Sequence, residues 1–255
     1  MPILTIFGGM PFKSTSTALL QSLPPKAWGL LLDPDKFHFD ELFIRLTIAN
    51  ELGCSVILIG TSSTIHSEAG AQLLQLVRSH TAIPVVQFPG PDNALLPGTD
   101  ALLFLSLISG RNPEFLIGHQ IKTAKQVVKL NTEIIPTGYI LMDGGHTTTA
   151  HRISATSPLA STDSNLAAKT ALAGALLGMK LMYLDSGSGA SIPVQEQVIK
   201  AVKSEVDVPV WVGGGLRNSL DIKKAWEAGA DLIIIGNLGE ENPELLRQTL
   251  AHALG

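Results

Sequence analysis

Several things are scarce in this 255-residue chain. Cys54 is its only cysteine, so no disulfide framework exists and a reducing compartment is expected. Aromatic residues make up only 5% of the chain, against 45% apolar residues overall, so the core must be aliphatic. No apolar run reaches the length of a membrane span, and residues 1–10 lack the basic start and long apolar stretch of a signal peptide. Charge of either sign is thin and unclustered, with a formal net value of −4, which argues against an electrostatic nucleic-acid face. A cytoplasmic protein is expected, with at most peripheral contact with a bilayer.

What is present is alternation. Short runs rich in Ile, Leu and Val read as strands at 28–32, 55–59, 83–88, 101–107, 133–142, 180–185, 209–212 and 231–235. Helical spacing fills most of the intervals, at 39–52, 70–79, 114–130, 166–177, 194–202, 220–228 and 243–254. Eight strands with alternating helices predict a single (β/α)8-barrel domain over residues 1–255, with 1–27 as a leading segment packed on it. The interval 89–100 is too short and too rich in Pro, Gly and Asp for a crossover helix. A modified barrel follows, in which a loop replaces the third outer helix and leaves an apolar groove that must bury something. A long polar loop is expected at 143–165.

The chemistry should sit where strands end. Gly213-Gly214-Gly215 follows the seventh strand and Gly236-Asn237 the eighth. Glycines there let backbone N–H groups approach an anion, the usual phosphate site of such barrels. Tyr183-Leu184-Asp185-Ser186-Gly187-Ser188-Gly189 closes the sixth strand with another small-residue loop, and places Asp185 where barrel enzymes carry catalytic groups. Asp33, in Asp33-Pro34-Asp35-Lys36 after the first strand, suits either Mg²⁺, which takes few protein ligands, or a solvated turn balanced by Lys36; Thr61, after the second strand, is placed either to complete that site or to cap the next helix. His146 and His151 fit no zinc spacing, and Cys54 reads as a small buried residue.

Taken in order, these segments resemble the geranylgeranylglyceryl phosphate synthase family, which includes bacterial heptaprenylglyceryl phosphate synthases. The matching stretches are Leu32-Asp33-Pro34-Asp35-Lys36, Gly60-Thr61-Ser62, Gln87-Phe88-Pro89-Gly90, 106–113, 117–120, 135–140, 183–189, 212–215 and Gly236-Asn237. They are closest to the longer, second group of that family. The resemblance implies a Mg²⁺-dependent prenyltransferase that joins sn-glycerol 1-phosphate to a polyprenyl diphosphate, geranylgeranyl diphosphate favoured, and releases diphosphate. It implies Asp33 and Thr61 as metal ligands, and Asp185 with Tyr183 as the catalytic pair. Tyr183, Leu184, Asp185, Ser186, Gly187, Ser188, Gly213, Gly214, Gly236 and Asn237 would hold glycerol phosphate. It implies a homo-oligomer, for which apolar Phe115, Leu116 and Ile117 offer an interface. Two positions depart from the family pattern: Asp185 stands where glutamate is usual, and Ser186 where alanine is usual. The competing readings are another phosphate-handling barrel enzyme and a non-catalytic phosphate-binding barrel. No lysine at a strand's C-terminal end supports a Schiff-base aldolase, since Lys180 opens its strand.

Overall fold

The computed structural model describes residues 17–36, 38–61, 67–90 and 95–255. Eight parallel strands close into a barrel in sequence order: β1 (Ala27–Leu32), β2 (Val56–Thr61), β3 (Val85–Pro89), β4 (Ala101–Leu107), β5 (Glu133–Leu141), β6 (Leu181–Asp185), β7 (Val210–Gly213) and β8 (Leu232–Ile235). The last strand returns to the first, with Ala27 beside Leu232 and Leu30 beside Ile235.

Strand alternation sorts the apolar residues into two layers. Residues such as Val56, Leu58, Val86, Leu103, Ile135, Trp211 and Ile234 fill the barrel interior. Their neighbours, among them Trp28, Ile57, Ile59, Met182, Val212 and Ile233, pack outward against the helices. Both faces are therefore buried, which is why the strands are legible as unbroken apolar runs rather than alternating ones.

The outer layer is α2 (Phe39–Glu51), α3 (Ser67–His80), α4 (His119–Val127), α6 (Ser164–Leu176), α7 (Glu196–Glu205), α8 (Ser219–Glu227) and α10 (Pro243–Leu254), with shorter pieces α1 (Ala18–Ser22), α5 (Thr149–Ser154) and α9 (Asn237–Glu241). Several starts are fixed by side-chain caps: Asp163 accepts from Leu166 N, Asn218 from Asp221 N, and Asn242 from Glu244 N ahead of Pro243. Leu19 and Leu20 of α1 are buried with the residues that floor the barrel.

Between β3 and β4 the described residues, Gly90 and 95–100, contain no helix. The groove expected from the sequence opens there. Leu102 and Phe104, on the outward face of β4, line a cavity with Thr123 and Val127 of α4 instead of meeting a third crossover helix. Gln87 holds the connecting loop by accepting from Leu96 N at 2.9 Å.

Two expectations need correction. The helix expected over 114–130 is three pieces: a π-type turn at Glu114–Gly118, then α4, then a 3₁₀ turn at Val128–Leu130. Ser106 Oγ donates to the Leu116 carbonyl at 2.7 Å and so pins that first turn to β4, where an α-helical start would carry the carbonyl away. The interval 143–165 is also not all loop: Thr148 caps α5, and α6 begins at Ser164.

An electrostatic device recurs at the barrel floor. Asp231 Oδ2 accepts from Val210 N at 2.7 Å and from Lys203 Nζ at 2.6 Å. Half a barrel away, Asp100 Oδ2 accepts from Val85 N and from Arg78, each at 2.7 Å. Each aspartate precedes a strand, satisfies the first N–H of the strand before it, and ties in a cation from the helix that leads into that earlier strand.

Candidate active site

The C-terminal ends of the strands open into one cavity of about 460 Å³. One end is polar. Gly187, Ser188 and Gly189 after β6, Gly214 and Gly215 after β7, and Gly236 and Asn237 after β8 line it together. The other end is the apolar groove, walled by Phe88, Leu102, Phe104, Leu107, Phe115 and Val127. Asp185 and Tyr139 stand between them on the cavity wall.

The glycines at the polar end are required by their neighbours. A Cβ on Gly214, which has φ +80°, would lie 2.7 Å from Asp185 Oδ1 and 2.6 Å from Gly187 N. A Cβ on Gly213 would lie 2.5 Å from the Tyr183 hydroxyl. The glycine run thus clears space for the two residues on β6 as well as shaping an anion-sized hollow.

Two backbone donors of the β6 loop are already engaged. Gly187 N donates to Asp185 Oδ1 at 2.8 Å, and Gly189 N donates to Asn237 Oδ1 at 2.8 Å, with Ser188 Oγ donating to the same oxygen at 3.2 Å. Asn237 therefore ties the loop after β8 to the loop after β6 and fixes the width of the polar end.

Asp185 is the centre of the site. Its Oδ2 accepts a hydrogen bond from the Tyr139 hydroxyl, while Oδ1 accepts from Gly187 N. Burial raises the Asp185 carboxyl above the usual carboxylate range, and these two hydrogen bonds pull the other way. Burial, followed by the charge of Asp185, holds the phenols of both Tyr139 and Tyr183 well above the usual tyrosine value, so both remain protonated. Tyr139, Tyr183 and Phe88 pack edge to face, with ring centroids 5.5–6.0 Å apart. Tyr139 was not singled out from the sequence. It pairs directly with Tyr183 across β5 and β6, a register no local motif encodes.

Of the residues assigned from the sequence, Asp33, Tyr183, Asp185, Gly187, Ser188, Gly214, Gly236 and Asn237 all line the cavity. Leu184, Ser186 and Gly213 do not: Leu184 packs into the outer layer and Ser186 is fully buried off the cavity wall, because alternate residues of β6 face opposite sides. The side chain of Thr61 lies outside the described residues. Phe115 turns into the cavity, so of the three residues offered as a subunit interface only Ile117 is exposed.

At the mouth of β1, Asp33 Oδ1 accepts from Asp35 N at 3.0 Å, and Oδ2 lies 3.4 Å from Lys36 Nζ; Lys36 also pairs with Glu240 at 3.7 Å. Among the described residues no cluster of three metal-ligating side chains exists. The donor present on the cavity wall is the single Asp33 carboxylate, the kind of oxygen ligand that Mg²⁺ takes beside water and phosphate oxygens. Arg217 lines the same cavity and donates from Nε to the Ala190 carbonyl at 3.4 Å.

Comparison with known proteins agrees with this geometry. Residues 26–254 match the model of the PcrB family. The chain is 42% identical to the geranylgeranylglyceryl phosphate synthase of Zunongwangia profunda over 84% of its length and 91% of the relative's. It is 36% identical to that of Pyrococcus furiosus, over 81% and 82% respectively. The crystal structure of (S)-3-O-geranylgeranylglyceryl phosphate synthase from Thermoplasma acidophilum, in complex with sn-glycerol-1-phosphate, superposes with a TM-score of 0.83 at 31% identity, covering 89% of this chain and 91% of that one. With a barrel, a two-ended cavity and relatives that match most of its length, the chain belongs to the PcrB family of geranylgeranylglyceryl phosphate synthases and is an enzyme of the prenyltransferase class.

Proposed function

We propose that the enzyme forms an ether bond between sn-glycerol 1-phosphate and a polyprenyl diphosphate, geranylgeranyl diphosphate favoured, with release of diphosphate in the presence of Mg²⁺. The observation that carries this reading is the continuity of the cavity: one hollow runs from the glycine turns of β6, β7 and β8, past Asp185, into the apolar groove beside β4. Such a shape suits one small anionic and one long apolar reactant meeting at a carboxylate. The bound sn-glycerol 1-phosphate of the Thermoplasma relative supplies the chemistry of the polar end.

In this reading the phosphate of glycerol phosphate sits among Gly187–Gly189, Gly214, Gly215, Gly236 and Asn237. Its anchoring turns the free hydroxyl toward Asp185 and makes the attack effectively unimolecular. Asp185 accepts the hydroxyl proton as the oxygen bonds to the allylic carbon; the carbon–oxygen bond to diphosphate breaks, and the electron pair leaves with diphosphate. The raised carboxyl of Asp185 makes it a stronger base than a solvated aspartate. Tyr139, protonated, fixes the carboxylate's orientation, and the edge-to-face aromatic group around it keeps water from the electron-poor allylic carbon. The prenyl chain lies along Phe88, Leu102, Phe104 and Val127. Mg²⁺, held by Asp33 and Thr61, would neutralise charge on the departing diphosphate.

The test is ether synthesis with purified enzyme, labelled sn-glycerol 1-phosphate and prenyl diphosphates of several lengths. Product from the sn-1 but not the sn-3 enantiomer, abolished by EDTA and restored by Mg²⁺, is the expected result. No product at any chain length, with glycerol phosphate still bound, would overturn it.

A further inference from the structure

The helix that walls the groove shows three different faces to its surroundings. Gln120, Thr123 and Val127, spaced i, i+3, i+7, are buried and line the cavity. One residue further round, Ile121, Ala124 and Val128 share a second face and are exposed, Ile121 by 70% and Val128 by 41%. One residue further again, Lys122, Lys125 and Lys129 form a third face, also exposed. Ile117, 55% exposed, extends the apolar stripe one turn upstream. Residues 119–130 contain no acid, although the whole chain carries −4. Glu114, in the turn before α4, pairs with Lys122 at 2.6 Å and leaves the rest of the lysine row uncompensated by that carboxylate. Across the cavity, Ile153 of α5 both lines the groove and is 42% exposed, with exposed Arg152 beside it.

An apolar stripe flanked by lysines is the pattern of a helix that lies in a membrane interface, its apolar residues inserted and its lysines at headgroup level. An antiparallel two-fold contact of this face with a second copy would bring two lysine rows together, whereas an anionic lipid surface complements the row. We propose that α4, with Ile117 and Val128 at its ends, docks reversibly on anionic lipid and so places the groove beside the bilayer, where a prenyl diphosphate can enter it without crossing water. The docking surface deepens the proposed function and rests on it for the identity of what enters. No helix among the described residues is long and apolar enough to span a membrane, so this contact is with the surface alone.

The test is co-sedimentation of the full chain with vesicles of phosphatidylglycerol and phosphatidylcholine, against phosphatidylcholine alone. Binding to the anionic vesicles, weakened by salt, is expected. Ile121→Glu, and separately Lys125→Glu with Lys129→Glu, should each lower the partition coefficient by at least about tenfold. Turnover of a short prenyl diphosphate in free solution should be unchanged in both variants. A chain that binds vesicles but transfers no prenyl group would sink the proposed function and leave the docking surface standing. Equal binding of parent and variants, or none by the parent at low salt, would overturn the docking surface. So would a dimer of the parent that Ile121→Glu converts to monomer, since a second copy would then cover this face.

Discussion

Tyr139, on β5, donates its hydroxyl proton to the carboxylate of Asp185, on β6, 46 residues away. The bond holds one carboxylate oxygen while Gly187 N holds the other. This matters because aspartate stands where the family resemblance leads one to expect glutamate, and a shorter arm must be aimed by its surroundings. Tyr139→Phe removes the aim and leaves the ring packing. The kcat of ether synthesis should fall by about ten- to a hundredfold, the equivalent of losing one hydrogen bond to a charged group. KM for glycerol phosphate should change little, because the proposed function seats its phosphate at the glycine turns rather than at Tyr139. Equal loss in KM would place Tyr139 in substrate binding instead.

Burial raises the Asp185 carboxyl, and the sign of the consequence can be worked out. Between the ordinary aspartate value of 3.8 and the raised folded value, the folded state holds a proton that the unfolded state has released. Stability therefore falls as pH rises through that window, and ionised Asp185 is a net cost at neutral pH. Asp185→Asn removes the cost while keeping the shape. The variant should melt higher than the parent at pH 7 and equal to or below it at low pH, while its turnover drops by at least about a hundredfold. The acid limb of the parent's pH–rate profile should lie above that of a solvated aspartate. A variant that melts lower at pH 7 would show that the carboxylate stabilises the fold.

Gly214 separates shape from mere flexibility. Alanine there adds left-handed strain of about 1–2 kcal/mol and also places a methyl against Asp185 Oδ1 and the backbone of Gly187. Gly53 is the matched control: its φ is +66°, but a Cβ would meet nothing within 4 Å. Both Gly214→Ala and Gly53→Ala should lower the melting temperature. Only Gly214→Ala should reduce turnover, by about tenfold or more, as Asp185, the base of the proposed function, is pushed off its position. Unchanged activity in Gly214→Ala would mean that the loops yield freely.

Much of this architecture could be read in advance because it is local. Strands buried on both faces are continuous apolar runs, and the catalytic face of a barrel is where those runs end, so Asp185, Gly214 and Asn237 could be placed by position alone. The lack of a helix among the described residues between β3 and β4 is legible as an interval too short to hold one. What could not be read depends on register between distant segments. Tyr139 is the single aromatic of a buried strand, and its partner shows only when β5 is laid beside β6. Asn237 reads as a ligand to an anion, but no local motif reports that its Oδ1 also accepts from Gly189 N and so joins two loops. Leu184 and Ser186 lay inside a matching motif, yet strand alternation turns both away from the cavity. The π-type turn at Glu114–Gly118 is tied to β4 by a single side-chain bond, Ser106 to Leu116, which no periodicity reports.

The aspartates at the barrel floor offer a test that stability and catalysis part company along the strand axis. Asp231 satisfies Val210 N, the first donor of β7, and holds Lys203 on α7. The Lys203 pair is partly exposed at both ends, so its own contribution is small. The larger effect comes from the backbone: Val210 is fully buried, and without Asp231 its N–H loses the carboxylate that accepts from it. Asp231→Ala should cost about 1–3 kcal/mol, read as a lower midpoint in urea with an unchanged slope. Lys203→Ala should cost well under half of that. Neither should alter kcat, because the loops that form the cavity lie at the opposite ends of β7 and β8. If Lys203→Ala proved the more costly of the two, the clamp would act through its ion pair rather than by sealing the end of the strand.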